Sequence, residues 1–119
     1  MPVMRGDIVL VPVPDTSGLT GKTRPVLVVS SDANNRRLQD AIVAVITSTT
    51  RRAKLEPTQH LIELGTPQGK QSGLLTDSAI KCERLHAILQ SLIQRTVGSL
   101  DSATMLKVND CLKAALDLP

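Results

Sequence analysis

The chain has 119 residues, the length of one domain spanning 1–119, and a formal charge of +3 that is mixed along the sequence, so an anionic partner is permitted but not demanded. Two cysteines, Cys82 and Cys111, are too few and too irregularly spaced for a disulfide framework or a zinc cluster, which makes a reducing cytoplasm the expected location. Phe, Tyr and Trp are absent, so the core must be aliphatic, and readers of single strands that stack bases on aromatic platforms are excluded.

In chain order, Ile8 to Val13 is a Val-rich run bounded by Pro12 and Pro14 and reads as a first strand. Asp15 to Thr23, rich in Gly, Ser and Thr, reads as a loop. Val26 to Ser30 and Ala41 to Thr47 are the second and third strands. Their continuous apolar character suits strands buried on both faces or the strands of a barrel. The polar stretch Asp32 to Asp40 between them has room for one turn of helix. Thr49 to Pro57 is a basic loop, Gln59 to Leu64 a fourth strand and Gly65 to Gly73 another loop. Ser78 to Ile88 reads as a long strand that can bend in its middle. Gln90 to Val97 is expected to be a helix stopped by Gly98.

The last helix is the best specified element. Asp101 is a natural N-cap, Leu100 and Met105 are placed for a hydrophobic staple, and Met105, Val108, Leu112, Ala115 and Leu116 recur at helical spacing. Strands first and helices last give a mainly β fold with a C-terminal helix, of the α+β class: a small twisted sheet or barrel with a helix packed on it. No segment has the length and apolarity of a signal peptide or a membrane span, so no membrane partner is expected.

Three segments in order resemble the MazF/PemK family of toxins. They are Arg5-Gly6-Asp7-Ile8-Val9-Leu10-Val11 with Lys22-Thr23-Arg24-Pro25-Val26-Leu27-Val28-Val29-Ser30, then Val43-Ala44-Val45-Ile46-Thr47-Ser48, then Gly73-Leu74-Leu75-Thr76-Asp77-Ser78-Ala79-Ile80-Lys81-Cys82-Glu83. The resemblance covers nearly the whole chain. It implies an SH3-like barrel of the PemK/CcdB type, a homodimer, and a cognate antitoxin protein that fills the RNA groove. It also implies a sequence-specific endoribonuclease that cuts single-stranded RNA, inhibiting translation and growth. The chain departs from many members in two places. Leu19, Thr20 and Gly21 replace His and acidic residues before Arg24, which questions a catalytic role for that loop. Arg84 and His86 stand where Gln and Arg are common, which suggests an altered sequence preference.

RNA cleavage by the neighbouring 2′-hydroxyl needs a proton acceptor, a proton donor and fixed groups for the crowded phosphate, and neither a metal nor another cofactor. Arg24 is the candidate clamp, because its planar fork matches two phosphate oxygens and Pro25 holds it extended at a strand mouth. Thr47 and Ser48 follow a buried strand and can donate to a phosphate oxygen; the plainer alternative is that they turn the chain. Lys81 and Glu83, two apart in a strand, would share a face and form a proton-handling pair, or else a solvated ion pair of little energetic weight.

Arg84 and His86 are candidate RNA contacts, with His86 on the face opposite Glu83 unless the strand bends. Arg51 and Arg52, with Arg36, Arg37 and Lys54, would guide the RNA backbone if they do more than solvate a loop. His60 reads as structural. Two other functions fit the same scaffold: a CcdB-like toxin that binds DNA gyrase without catalysis, and a plain interaction module.

Overall fold

The Val- and Ile-rich runs form strands as expected, and the way they pair decides where the polar residues emerge. The computed structural model describes residues 2–14 and 20–119. These contain β1 (Asp7–Pro14), β2 (Thr20–Val28), α1 (Asp32–Arg37), β3 (Asp40–Thr47), β4 (Gln59–Ile62), α2 (Pro67–Ser72), β5 (Ser78–Leu89), β6 (Arg95–Ser99) and α3 (Ser102–Leu116). The strands join in one curled antiparallel sheet in the order β4-β5-β3-β2-β1-β6. Among the described residues no helix is long and apolar enough to cross a membrane.

Both faces of the central strands are buried, which explains their unbroken apolar runs. On one face Ile8, Leu27, Ala44, Ile46 and Ile80 pack with Met105, Val108 and Cys111 of α3. On the other, Val9, Val11, Val26, Val28 and Val43 pack with Ile88, where the curl of the sheet brings Val3 and Ile93 over them. Helix α3 begins as the sequence predicts. The Asp101 side chain accepts from the Thr104 N–H at 2.8 Å, and the staple residues Leu100 and Met105 are both buried. Arg5, just before β1, ties the end of β2 to this helix, donating to the Val29 carbonyl and to Asn109.

Two segments differ from expectation. Gln90 to Val97 is not a helix: Gln90–Leu92 makes a single 3-10 turn, and Arg95–Ser99 is an edge strand paired with β1. Leu92, Gln94 and Arg95 carry ordinary helix propensity, but the partner strand lies far away in sequence and overrides it. Gly65 to Gly73 contains α2, capped by the Thr66 side chain, started by Pro67 and closed by Gly73 at φ 73°. The loop expected over residues 15–23 ends earlier, since β2 starts at Thr20; residues 15–19 lie outside the described residues.

Helix α2 lies against the β6 edge with the two backbones in direct contact, and Gln71 Nε2 adds a side-chain bond to Ser99 Oγ at 3.4 Å. A Cβ on Gly73 would overlap the Val97 carbonyl oxygen, and one on Gly98 would overlap that of Ser72. Gly73 also needs its left-handed conformation. The two thiols are free and buried, and burial, the largest cause, pushes Cys82 up to about 12. Because the clash at Gly98 is with main chain, it cannot be relieved by rotating a side chain. Gly98→Ala should therefore destabilise the fold by about 1–3 kcal/mol, the range for overpacking, seen as a lower urea midpoint at unchanged m-value. A midpoint equal to that of the unaltered protein would show that α2 is not held this closely.

Candidate functional site

The ladder between β2 and β3 is short. It joins Val26 to Val45, Leu27 to Ala44 and Val28 to Val43, and stops one residue after Pro25, which has no N–H to donate. Beyond that point β3 stays paired with β5, through Ile46 to Ile80 and Thr47 to Ala79, while β2 stays paired with β1. The two central strands therefore part at Arg24 and Thr47, and a cavity of about 410 Å³ opens beside them. Its polar lining is Arg24, Thr47, Ser48, Thr76, Ser78 and Arg95, and its floor includes Leu10, Pro25, Leu74 and Val97.

Thr47 also lines a second cavity of about 250 Å³, with Thr49, Arg51, Arg52, Gln59 and Lys81. The Thr49 N–H donates to Thr47 Oγ1 at 3.1 Å, which leaves the hydroxyl proton available to a ligand and makes it a better donor. Among the described residues, neither cavity is lined by a carboxylate or an imidazole. Five cations face the two spaces: Arg24 and Arg95 in the first, and Arg51, Arg52 and Lys81 in the second. Such a lining suits an anion that carries an apolar body.

Strand β5 is bent by a large bulge. Ala44 pairs with Leu85 but Val45 pairs with Lys81, so Cys82, Glu83 and Arg84 have no partner on β3. Val43 and Val45 share a face, so their partners His86 and Lys81 share it too; the expected bend is present, and it realigns His86 with Lys81. Glu83 sits within the bulge. It accepts from Thr58 Oγ1 at 3.0 Å and from Gln59 Nε2 at 2.8 Å. Partial burial acts to raise its pKa, but the donors from Gln59, its own backbone and Thr58, with the charge of Lys81, outweigh this and hold it below the usual value.

The sequence candidates are thus brought together unequally. Arg24, Thr47 and Ser48 meet in the first cavity, and Lys81, Arg51 and Arg52 meet Thr47 in the second. Glu83 lines neither and reaches the second only through Gln59. Arg84 and His86 are half-buried on β5 and line neither cavity, nor do Arg36, Arg37 and Lys54. His60 lies 3.4 Å from Gln68 Oε1, and burial, the main cause, lowers its pKa, which fits a structural role. Sequence reasoning missed Arg95 and Gln59. Arg95 was hidden by the helix reading of its segment, although the run Thr96-Val97-Gly98-Ser99 has strand character. Among the described residues, no three His, Cys, Asp or Glu side chains are close enough to hold a metal ion.

Comparison with known proteins gives the family of the chain. The profile of the PemK-like, MazF-like toxins of type II toxin–antitoxin systems matches residues 4–116. The endoribonuclease EndoA of Bacillus subtilis is 35% identical over 119 residues, covering 99% of this chain and 97% of that protein. The endoribonuclease MazF9 of Mycobacterium tuberculosis is 31% identical over 98 residues, covering 80% and 79%. A mycobacterial endoribonuclease solved in complex with its cognate antitoxin superposes with a TM-score of 0.78 at 26% identity, covering 98% of this chain and 97% of that one. These relatives do not favour a gyrase-binding toxin. The chain belongs to the PemK-like, MazF-like family of toxins of type II toxin–antitoxin systems.

Proposed function

We propose that this toxin is an endoribonuclease that cuts single-stranded RNA at short sequence motifs by 2′-hydroxyl attack, with the scissile phosphate held between Arg24 and Thr47. The observation that carries this reading is the convergence of the Arg24-Pro25 and Thr47-Ser48 segments on one cavity that carries cations and hydroxyls but, among the described residues, no carboxylate. In the reaction the 2′-oxygen bonds to phosphorus and the bond from phosphorus to the 5′-oxygen breaks. The products are a 2′,3′-cyclic phosphate and a 5′-hydroxyl. The proton of the 2′-hydroxyl passes to solvent water, and one proton is delivered to the 5′-oxygen from the Lys81 side.

Arg24 stays protonated, so its part is to neutralise the non-bridging oxygens as charge builds, with Thr47 and Ser48 donating beside it. Lys81 faces the shared wall at Thr47 and is placed to serve the leaving oxygen, while Arg51 and Arg52 hold a flanking phosphate. Glu83 acts as a positioning residue that orients Gln59, because a carboxylate held below its usual pKa is a weak proton acceptor. Arg84 and His86 on β5 contact RNA outside the two cavities.

The partners that follow are a protein antitoxin, as with the mycobacterial relative solved in complex with its own, and a second copy of the chain. The homodimer is supported by large aliphatic side chains left at the surface, among them Leu75, Leu106 and Leu116.

Arg24→Ala should fold normally and lose about a hundredfold to a thousandfold in kcat, the usual effect of removing one transition-state donor, with Thr47→Ala less affected. Cleavage of a long RNA in excess EDTA, read by sequencing the new 5′ ends, checks both the variants and the independence from metal. Undiminished cleavage by folded Arg24→Ala would remove Arg24 from the reaction.

Glu83 has a folded pKa below its ordinary 4.5, so its ionised form stabilises the fold. That contribution is complete above pH 4.5 and lost as pH falls through the lowered folded value. The urea midpoint of Glu83→Gln should therefore lie below that of the unaltered protein at pH 7, and the gap should close as pH falls through the lowered folded value. A positioning role also predicts a slower cleavage rate with the shape of the pH profile unchanged. An acid limb in the unaltered protein that the variant loses would make Glu83 the base instead.

A further inference from the structure

The first cavity is larger than a phosphate requires, and its far wall is built from β6, a strand that supplies none of the groups assigned above. Leu10 pairs with Pro25 on one side and with Arg95 on the other. Pro25, Leu10 and Arg95 thus form one row across three strands, and Arg95 stands two strand spacings, about 10 Å, from β2. The row is fixed at its end. The Gln94 N–H donates to the Leu10 carbonyl at 2.9 Å, and Gln94 Nε2 donates to Thr23 Oγ1 at 3.0 Å, next to Arg24. Between Arg24 and Arg95 the floor is aliphatic, and the volume of about 410 Å³ falls within the range of small-ligand sites.

An apolar floor flanked by two arginines, with Thr76 and Ser78 as further polar residues in the lining, suits one nucleobase and its phosphate better than phosphate alone. Because the chain has no Phe, Tyr or Trp, the flat side chains that could cover a base in this cavity are its guanidinium groups. Arg24 is occupied by the scissile phosphate in the reading above, on which this inference rests. Arg95 is exposed and lines the same cavity. We propose that the cavity between Arg24 and Arg95 is a nucleobase site beside the scissile phosphate, and that the Arg95 guanidinium plane stacks on that base and sets the preference at one position of the cleaved motif.

The test compares the unaltered protein with Arg95→Ala and Arg95→Lys on a long RNA and on a short strand of the cleaved sequence. Arg95→Ala should raise KM about tenfold, in the range for loss of one base-stacking contact, with kcat changed less than twofold. The base preference at one position adjoining the cut should flatten. Arg95→Lys should show the same loss, because an ammonium keeps the charge but not the plane. Restoration by Arg95→Lys, or an unchanged KM and motif in Arg95→Ala, would overturn the proposal. A change in sedimentation without a change in KM would overturn it too, and would assign the cavity to contact between copies of the chain. Binding of a strand made non-cleavable by 2′-deoxy substitution separates the two readings. If the unaltered protein leaves RNA intact, the endoribonuclease reading fails, while weaker binding by Arg95→Ala still supports the base site and equal binding rejects it.

Discussion

The approach of two backbone segments without side chains between them, at Gly73 and Gly98, is the constraint on which the cavity depends. It lets α2 lie directly on β6, with the Ser72 and Val97 carbonyls occupying the space that Cβ atoms would fill. Leu74 and Leu75, which follow Gly73 immediately, are thereby carried into the lining of the cavity. Were α2 held off by even one methyl group, the cavity lined by Gly73, Leu74 and Val97 would widen. Catalysis by positioned donors is sensitive to shifts of this size. The glycines therefore link a packing detail remote from the phosphate to the spacing of the groups that would hold it.

A second constraint acts on the opposite side of the site. Pro25 ends the β2–β3 ladder, and the bulge of β5 lets Lys81 stay in register with Val45 while three residues lose their partners on β3. The first opens the gap that exposes Arg24 and Thr47. The second turns Glu83 toward Thr58 and Gln59, away from both cavities. A regular strand would have placed Lys81 and Glu83 side by side. The bulge separates a cation at the cavity from a carboxylate that braces its wall.

Much of this was legible in the sequence, for reasons that differ by element. Helix α3 could be read in advance because its signals are local: a capping carboxylate, a staple and a periodic apolar face. The central strands were legible because burial on both faces leaves a continuous aliphatic run. Arg24, Thr47 and Ser48 could be picked out because Arg-Pro and Thr-Ser stand at the ends of such runs within a familiar order of segments. Strand β6 was not legible, since what makes it a strand is β1, more than eighty residues earlier in the chain. With it went Arg95. Helix α2 spans only six residues, too few for periodicity, although Thr66, Pro67 and Gly73 are the cap, first-turn and closing residues of a short helix. The position of Glu83 depends on the register of β5 against β3, which no single segment encodes.

The central claim is that the phosphate at Arg24 and Thr47 is attacked by the adjacent ribose, and one substitution in the RNA tests it most directly. Replacing the 2′-hydroxyl by hydrogen in the nucleotide 5′ of the cut leaves phosphates and bases unchanged. The reading predicts that the deoxy-substituted strand binds nearly as well as its parent and is not cleaved at that bond. Cleavage at that bond at the parental rate would mean that water attacks the phosphate, and would contradict the assignment.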